Sequence, residues 1–425
     1  MEKLGLVVIA LGILAFSLIS GRLKDTVITP PMIFAAFGLA ISGAGLALAD
    51  LDLSHGLIHT LAEVTLILVL FSDAARIDLR RLLSDHNLPM RMLLIGMPLI
   101  IVLGTLTAVL LPLGLGLMEA ALLAAILAPT DAALGQSVVS NPRVPVRIRQ
   151  ALNVESGLND GIAVPFVLLF ASLVAGHHGA EGGGAGEFLT FGALQVTLGP
   201  LVGIVLGCAG GWLMDKAAAK EWMTEAFEGP AVLALAGAAY VGSEVVGGNG
   251  FIAAFVAGLT FGYVIRGRCK FILEFAESEG QLLTLITFMV FGAAMMPQVF
   301  GDIGWEAVLY AVLSLTVIRM APIALSLAGT GVSGVTVAFL GWFGPRGLAS
   351  VLFGLLIVEE LDMPAAETIL TVVVITVTLS IVAHGLSAAP AAAAYARSAE
   401  ARGECVETEP VSEMPTRTGY AEPQG

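Results

Sequence analysis

Apolar segments of about 20 residues follow one another along the whole chain, with short polar segments between them. A helix of this length crosses a hydrocarbon core of about 30 Å. The predicted fold class is therefore an all-α polytopic membrane protein. The pattern predicts thirteen transmembrane helices, at residues 4–22, 29–49, 57–75, 89–112, 117–139, 147–175, 188–214, 229–247, 249–265, 279–297, 304–327, 333–357 and 365–388.

Positive charges alternate across these predicted helices. Of the 20 Lys and Arg residues, seventeen lie in loops or in the tail on one side, and Lys3 lies on the other. The remaining two, Arg319 and Arg346, lie inside predicted helices. Because cytoplasmic loops are enriched in Lys and Arg, we expect a plasma (inner) membrane protein with its N-terminus outside and its C-terminus in the cytoplasm.

The chain is expected to divide into a membrane domain and a tail. Residues 1–390 form the predicted transmembrane domain, and residues 391–425 form a short cytoplasmic tail. The tail is Ala-rich at first and then acidic with prolines, which is typical of disorder. No small-residue cleavage site follows the first apolar segment, so this segment is interpreted as a membrane span rather than a signal peptide.

The composition agrees with this fold class and excludes others. Hydrophobic residues make up 57% of the chain and charged residues only 13%, whereas a soluble domain carries about 25% charged residues. The net charge of −14 and the lack of a basic region argue against nucleic-acid binding. The three cysteines are too widely spaced for a disulfide framework or a zinc site, and no cofactor is expected.

Polar residues interrupt the fifth apolar segment at its centre, where Pro129, Thr130 and Asp131 stand between apolar residues. A proline inside a helix removes a backbone hydrogen bond. A helix broken at membrane depth exposes carbonyls and helix ends that can coordinate a cation. The alternative is a simple proline kink in which Asp131 caps a helix N-terminus.

The sixth apolar segment carries a dense polar group, comprising Asn153, Glu155, Ser156, Asn159 and Asp160. Ser156 and Asp160 are four residues apart and share one helical face. Ionisable groups inside a bilayer cost about 2.5–3.5 kcal/mol each on insertion scales, so they indicate functional sites. Together with Thr130 and Asp131, this face offers the oxygen ligands that a hard cation prefers. The alternative is a purely structural polar network.

A second interrupted helix is predicted around Arg346, which follows Gly344 and Pro345 in the twelfth segment. The fifth and twelfth segments hold the fourth place in two five-helix units, at about residues 29–175 and 249–388. Because the units are offset by an odd number of helices, they insert in opposite orientations. Inverted repeats with paired broken helices are typical of secondary transporters.

Two sequence blocks are distinctive in their order of residues: Ala-Pro-Thr-Asp-Ala at 128–132 and Asn-Val-Glu-Ser-Gly-Leu-Asn-Asp-Gly at 153–161. They resemble blocks of the monovalent cation:proton antiporter family, of the sodium/proton exchanger type. Further similar blocks lie at 71–79, 250–258, 291–293 and 341–347, in the family's order. The resemblance implies thirteen helices, divided into a six-helix core domain and a dimerisation domain, and a homodimer.

The resemblance also implies roles for the residues of the polar cluster. Asp160 is expected to bind either the cation or the proton. Thr130, Asp131 and Ser156 are expected to complete the site, with Asp160, Ser156 and Thr130 holding the transported Na⁺. Asn159 precedes the key carboxylate, and in the family this residue accompanies electroneutral exchange of one cation for one proton.

Four more charged residues receive roles in the same way. Glu155 and Arg319 are expected to form a buried ion pair that holds the core together, and Arg346 is expected to line the twelfth, broken helix. Asp73 stands where relatives often have an acid that reaches the cytoplasmic funnel. The alternative for Asp73 is a helix-end charge paired with Arg76.

The predicted function is a secondary active antiporter, not an enzyme. Asp160 is exposed to each side of the membrane in turn, and a cation and a proton compete for it. The resemblance alone favours Na⁺ as the transported cation. Li⁺ and K⁺ are the alternative cations, and a K⁺/H⁺ antiporter is an alternative function. A transporter of anions or organic solutes that uses Arg319 and Arg346 is the alternative from another class. A channel is disfavoured because no filter sequence repeats, and a membrane enzyme because the histidines lie mostly at span ends or in loops.

Overall fold

The computed structural model describes residues 2–23, 26–43, 45–46, 55–78, 82, 87–131, 133–178, 185–265, 270–299, 303–358, 361 and 363–411. These residues are helical or lie in turns and loops, and no β-strand occurs among them. The all-α class predicted from hydropathy is therefore confirmed. Part of the tail, from residue 412, and several loop arginines used to predict orientation, such as Arg80 and Arg266, lie outside the described residues.

The first half of the chain contains α1 (Glu2–Leu23), α2 (Pro30–Ile41), α3 (His55–Ala75), α4 (Asn87–Arg91), α5 (Met97–Leu110), α6 (Leu117–Ile126), α7 (Gln136–Val139), α8 (Val146–His178) and α9 (Ala185–Ala219). A π-helical segment, Met92–Gly96, joins α4 to α5. Helix α2 ends at Ile41, not at residue 49 as predicted. Ser42 leaves the helical conformation, and its N–H donates to the Gly38 and Leu39 carbonyls.

The second half contains α10 (Glu225–Val245), α11 (Gly250–Ile265), α12 (Lys270–Val290), α13 (Met296–Val299), α14 (Trp305–Leu315), α15 (Val317–Ser326), α16 (Gly334–Trp342), α17 (Leu348–Phe353) and α18 (Ala366–Arg402). The π-helical segments Phe291–Met295 and Gly354–Val358 follow α12 and α17. The predicted span 304–327 is divided into α14 and α15 at Thr316, whose φ of −115° and ψ of −95° are not helical.

Seven helical stretches of the described chain are long and apolar enough to cross a membrane: Ile58–Ala75, Asn87–Leu110, Val146–Gly176, Leu194–Ala219, Gly280–Val299, Trp305–Ser326 and Ala366–Arg402. Four shorter apolar helices are Val7–Leu23, Pro30–Ile41, Leu117–Ile126 and Gly250–Ile265. Every predicted span overlaps one of these, or α10, or the pair α16 and α17. The protein is therefore a multi-pass membrane protein, while thirteen crossings stay a prediction.

Helices α9, α11 and α3 pack with their backbones in close contact. A Cβ built at Gly203 of α9 would lie 2.6 Å from the Ala253 carbonyl oxygen of α11, and one at Gly258 of α11 would lie 2.2 Å from the Phe71 carbonyl oxygen of α3. Three further glycines make similar contacts: Gly199, Gly207 and Gly262. Glycine is required at these positions because only a residue without Cβ lets two helices approach so closely. These three helices form what we call the glycine layer.

Two short helices, α6 and α17, are buried along their length in the main apolar core. The last eight residues of α6, from Glu119 to Ile126, are all buried, as are all six residues of α17. Both read as apolar on every side, which is typical of a helix enclosed by other helices. The non-helical residues next to them, 127–131 and 343–347, therefore lie in the protein interior.

The C-terminal region is ordered beyond the predicted end of the membrane domain. The prediction of a disordered tail from residue 391 was wrong for residues 391–411, because α18 continues to Arg402 and Val406–Thr408 form a 3₁₀ turn. The Ala-rich sequence has high helix propensity, and it buries Ala392, Ala396 and Ala399.

Hydrogen bonds attach this C-terminal segment to two earlier helices. Glu407 accepts from the Ser333 N–H at 2.9 Å and from the Thr336 hydroxyl at 2.7 Å, both at the start of α16. Arg147, near the start of α8, donates to the Val406 carbonyl at 2.9 Å and also pairs with Glu409. The C-terminal turn therefore joins the ends of α8 and α16.

Candidate functional site

Residues 127–131 and 343–347 contact each other inside the protein. Helix α6 ends at Ile126 because Pro129 cannot supply the backbone donor that a continued helix needs, and α16 ends at Trp342 shortly before Pro345 for the same reason. The Asp131 N–H donates to the Pro345 carbonyl at 2.8 Å. Two helix interruptions that are far apart in sequence are thus hydrogen-bonded to each other.

Charged side chains connect each interruption to the helix end of the other. Arg346 donates from Nη1 to the Ala128 and Pro129 carbonyls at 2.6 and 3.2 Å, just after the C-terminus of α6. Asp131 accepts from the Leu348 N–H at 2.9 Å, at the N-terminus of α17. A cation at a helix C-terminus and an anion at a helix N-terminus both oppose the helix dipole favourably.

Glycine at position 347 allows the second of these contacts. A Cβ built there would lie 2.3 Å from Asp131 Oδ2. Any other residue would push the Asp131 carboxylate away from the Leu348 N–H. The sequence block at 341–347 contains this glycine, but its role becomes evident only once the two interruptions are brought together.

Glu155 of α8 and Arg319 of α15 form a buried, bidentate ion pair. Arg319 Nη1 and Nη2 donate to Glu155 Oε1 and Oε2 at 2.5 and 2.7 Å, and the two side chains are 2% and 3% exposed. Paired donors that match both carboxylate oxygens are among the strong charge-assisted hydrogen bonds. The pair predicted from resemblance is therefore present in the structure, and it ties α8 to α15.

Hydroxyl and amide groups of Thr130, Ser156 and Asn159 form a buried cluster beside this pair. The Thr130 and Ser156 hydroxyl oxygens are 3.2 Å apart. Asn159 Nδ2 donates to Thr130 Oγ1 at 2.5 Å and lies 3.3 Å from the Thr130 carbonyl oxygen. The structure thus brings the interruption after α6 against the polar face of α8, as the sequence predicted.

Asp160 and Asp73 complete the set of predicted residues. Asp160 is 7% exposed and lies one turn beyond Ser156 on the same face of α8. Asp73, near the end of α3, is 8% exposed. Its carbonyl oxygen lies 3.8 Å from a Cβ built at Gly157, which places the end of α3 beside α8 just before Asp160.

The site is chemically suited to a hard cation. It offers the hydroxyl oxygens of Thr130 and Ser156 and the carboxylate of Asp160 around one helix face, and oxygen donors are the ligands that such cations prefer. No group of three or more His, Cys, Asp or Glu side chains within the described ranges is arranged to hold a resident metal.

Three polar residues near the interruptions were missed by the sequence reasoning. Ser350 of α17 donates to the Ile126 carbonyl at 2.8 Å, at the end of α6. Ser380 and His384 of α18 contact the backbone on either side of the second interruption. The sequence does place a Ser and a His inside an apolar span, but the other histidines lie mainly in loops and at span ends, which hides this pattern.

Buried charges at two facing helix interruptions, within a protein of many membrane-length helices, are typical of secondary transporters. The family model described as "Sodium/hydrogen exchanger, transmembrane" matches residues 6–394. The chain belongs to this sodium/hydrogen exchanger family. The resemblance inferred from the sequence blocks is thereby confirmed.

Curated relatives carry names for two different cations. The chain is 23% identical over 397 residues to the K(+)/H(+) antiporter NhaP of Alkalimonas amylolytica, covering 92% of this chain and 67% of the relative. It is 28% identical over 345 residues to the Na(+)/H(+) antiporter ApNhaP of Aphanothece halophytica, covering 76% and 63%. It is 27% identical over 277 residues to the K(+)/H(+) antiporter NhaP2 of Shewanella sp. (strain MR-4), covering 65% of this chain and about half (47%) of that relative's length.

A solved structure shares the fold. The sodium proton antiporter MjNhaP1 from Methanocaldococcus jannaschii at pH 8 superposes with a TM-score of 0.76 and 20% sequence identity. The match covers 93% of this chain and 98% of that chain. The two proteins therefore have the same overall arrangement of helices.

Proposed function

We propose that this protein is a secondary active antiporter that exchanges a monovalent cation for a proton across the membrane. The observation that carries the proposal is the buried oxygen cluster of Thr130 and Ser156, on the same face of α8 as the carboxylate of Asp160. Membership of the sodium/hydrogen exchanger family supports it.

The mechanism follows from the chemistry of one buried carboxylate. Asp160 binds either a proton or a cation, because each neutralises a charge that is costly to keep in a low-dielectric interior. The domain that carries α8 crosses between its inward-open and outward-open states only when Asp160 is neutralised. Binding of a cation on one side releases the proton there, and the two fluxes are therefore coupled.

The architecture that we propose has thirteen transmembrane helices in two inverted repeats, with the broken helices as fifth and twelfth. The interruptions after Ile126 and after Trp342 support the positions of the breaks. A six-helix core domain moves against a dimerisation domain in a homodimer. The protein lies in the plasma (inner) membrane with its N-terminus outside and its C-terminus in the cytoplasm, as the distribution of Lys and Arg indicates.

Na⁺ is the proposed substrate, with Li⁺ and K⁺ as the alternatives, since relatives are named for both Na⁺ and K⁺. We propose electroneutral exchange of one cation for one proton. Asn159 supports this stoichiometry, because it stands beside Asp160 and donates a hydrogen bond to Thr130 without adding a second carboxylate. Asp73 is proposed to guide cations towards α8 from the end of α3.

The alternative of an anion or organic-solute transporter loses support from the contacts of the two arginines. Arg319 is paired with Glu155 through two hydrogen bonds, and Arg346 donates to the carbonyls of Ala128 and Pro129. An anion would have to compete with Glu155 for both terminal nitrogens of Arg319, and with the helix-end carbonyls for Arg346 Nη1.

Proton flux in proteoliposomes tests the proposal. Vesicles with an imposed pH gradient should lose it on addition of Na⁺, and a comparison with Li⁺, K⁺ and Rb⁺ identifies the cation. Asp160→Asn should abolish this flux, because Asn cannot exchange a proton for a cation. Glu244→Gln is the matched control, since the Glu244 carboxylate accepts from the Gly250 N–H at the start of α11, outside the site. Flux that persists in Asp160→Asn would contradict the assignment.

The stoichiometry has a separate test. Exchange of one cation for one proton moves no net charge, so an imposed membrane potential should leave the rate of exchange unchanged. A rate that follows the potential would exclude electroneutral exchange while leaving the antiport itself intact.

A further inference from the structure

Two buried polar side chains of α18, Ser380 and His384, contact the backbone of the second interruption. Both residues are fully buried and lie one helical turn apart. His384 Nε2 lies 2.9 Å from the carbonyl oxygen of Trp342, the last residue of α16. The Ser380 hydroxyl accepts from the Arg346 N–H at 2.7 Å, just before α17 begins.

A neutral histidine satisfies these groups as one chain of hydrogen bonds. The Arg346 N–H donates to Ser380 Oγ, the Ser380 hydroxyl donates to His384 Nδ1 at 3.2 Å, and Nε2–H donates to the Trp342 carbonyl. A carbonyl oxygen can only accept, so Nε2 must carry the proton. Nδ1 faces both the Ser380 carbonyl oxygen at 3.0 Å and Ser380 Oγ at 3.2 Å, and in this tautomer it accepts from the Ser380 hydroxyl.

The two groups that α18 binds are those that the helix break leaves without a helical partner. In a continuous helix the Arg346 N–H would donate to the Trp342 carbonyl, and a buried backbone group without a partner is costly. Here the Trp342 carbonyl accepts from the Gly344 N–H at 2.8 Å as well as from His384, and the Arg346 N–H donates to Ser380. Ser380 and His384 replace this helical bond from a neighbouring helix. They therefore determine where the segment 342–346 lies relative to α18.

The same segment determines where the first interruption lies. The Pro345 carbonyl accepts from the Asp131 N–H at 2.8 Å. Thr130, directly before Asp131, contributes the hydroxyl that meets Ser156. A continuous path of hydrogen bonds thus runs from α18 through the second interruption to the oxygen cluster on α8.

We propose that Ser380 and His384 are positioning residues of the cation site: from α18 they hold the second helix interruption in the place where it orients Asp131 and Thr130. This inference rests on the proposed antiport function, because its readout is the dependence of proton flux on cation concentration. Loss of either hydrogen bond should weaken cation binding, since Thr130 loses its fixed place, while Asp160 stays chemically intact.

Cation titrations of proteoliposome flux test the inference. Ser380→Ala and His384→Leu should each raise the half-saturating cation concentration roughly tenfold, the effect of losing one buried hydrogen bond, with a smaller change in the maximal rate. His384→Gln keeps an N–H donor for the Trp342 carbonyl and should bring the value back to within about threefold of wild type.

Ser387→Ala is the matched control. The Trp342 indole N–H donates to Ser387 Oγ at 2.9 Å, so this bond also joins α16 to α18 but does not reach residues 343–347. It should leave the half-saturating concentration unchanged. Melting temperatures of all variants in detergent separate loss of folding from loss of positioning.

The outcomes distinguish this inference from the function on which it rests. Wild-type protein without cation-dependent proton flux would overturn the proposed function. Wild-type flux together with unchanged half-saturating concentrations in Ser380→Ala and His384→Leu would overturn only the inference. An equal rise in Ser387→Ala would also overturn it, because general loosening of α18 would then explain the data.

Discussion

Two carboxylates, Asp131 and Glu407, lie at the starts of two neighbouring helices, α17 and α16. Asp131 accepts from the Leu348 N–H where α17 begins, and Glu407 accepts from the Ser333 N–H where α16 begins. In both places a negative charge meets the positive end of a helix dipole. The local contact is the same, but the surroundings differ.

The difference lies in what else each carboxylate is connected to. Asp131 belongs to the segment that carries Thr130, and it lies among buried groups. Glu407 is also buried, but it belongs to the C-terminal turn, where Arg402 Nη2 lies 3.9 Å from its carboxylate. A carboxylate at a helix start is therefore weak evidence of a site by itself. Its connection to the cation-binding oxygens is what gives Asp131 a proposed role in transport.

The largest expected effect concerns the buried pair at the interior site. Glu155→Gln should lower the free energy of unfolding by about 3–5 kcal/mol, because it leaves the Arg319 charge buried without its partner. Denaturant titration in mixed micelles measures this loss. At the C-terminal end the corresponding change, Glu409→Gln, should cost less than about 1 kcal/mol, since the Glu409 side chain is 58% exposed. Equal losses would remove the distinction between the two regions.

A smaller effect on stability, but a decisive one on transport, is expected for Asp131→Asn. The Asp131 carboxylate accepts hydrogen bonds from the N–H groups of Ala133 and Leu348. In the variant, one of these N–H groups would face the amide N–H₂ instead. The expected cost is about 1.5–3 kcal/mol, together with loss of cation-dependent proton flux. Glu407→Gln is the matched variant and should transport normally. A transport defect of equal size in Glu407→Gln would show that the C-terminal contact also belongs to the transport machinery.

The smallest effect is the pH dependence of the Glu407 contact. Burial alone would raise the pKa of Glu407, but hydrogen bonds from the Ser333 N–H and the Thr336 hydroxyl outweigh burial and lower its pKa from 4.5 to about 2. Because the pKa is lower in the folded protein, the contact stabilises fully above about pH 4.5 and is lost as the pH falls towards 2.

Paired unfolding titrations measure this dependence. The difference in unfolding free energy between wild type and Glu407→Gln should be largest at neutral pH and should shrink as the carboxylate becomes protonated. Arg147→Gln, which removes a contact to the same turn, should keep the pH dependence. A constant difference across the acidic range would contradict the role of the charge.

Hydropathy was sufficient to place the helices because a membrane span needs a long apolar sequence, and α8 and α9 show this clearly. It missed the end of α18. The Ala-rich residues 391–402 are not apolar enough to read as a span, and their helical state depends on burial of Ala392 and Ala396 against the rest of the fold.

The site was predictable where it depends on one helix and unpredictable where two interruptions meet. The spacing of Ser156 and Asp160 follows from helical geometry alone. The bond between Asp131 and Leu348 joins residues 217 positions apart, and no local pattern indicates it. The ion pair of Glu155 and Arg319 was predicted from the family resemblance. Ser380 and His384 bind backbone groups that lose their helical partners only at the break, and no local pattern indicates this.

The glycine layer restricts how this protein can move. Its helices touch at five glycines, where each Cβ position lies less than 3 Å from a carbonyl oxygen of the neighbouring helix. A Cβ at Gly203 would lie 2.6 Å from the Ala253 carbonyl oxygen, so a rotation of α9 that turned a Cβ-bearing residue towards α11 would clash with that backbone. The three helices are therefore expected to behave as one rigid unit. In the proposed alternating-access mechanism, movement therefore takes place at other helix contacts, and these three helices move or stay in place together.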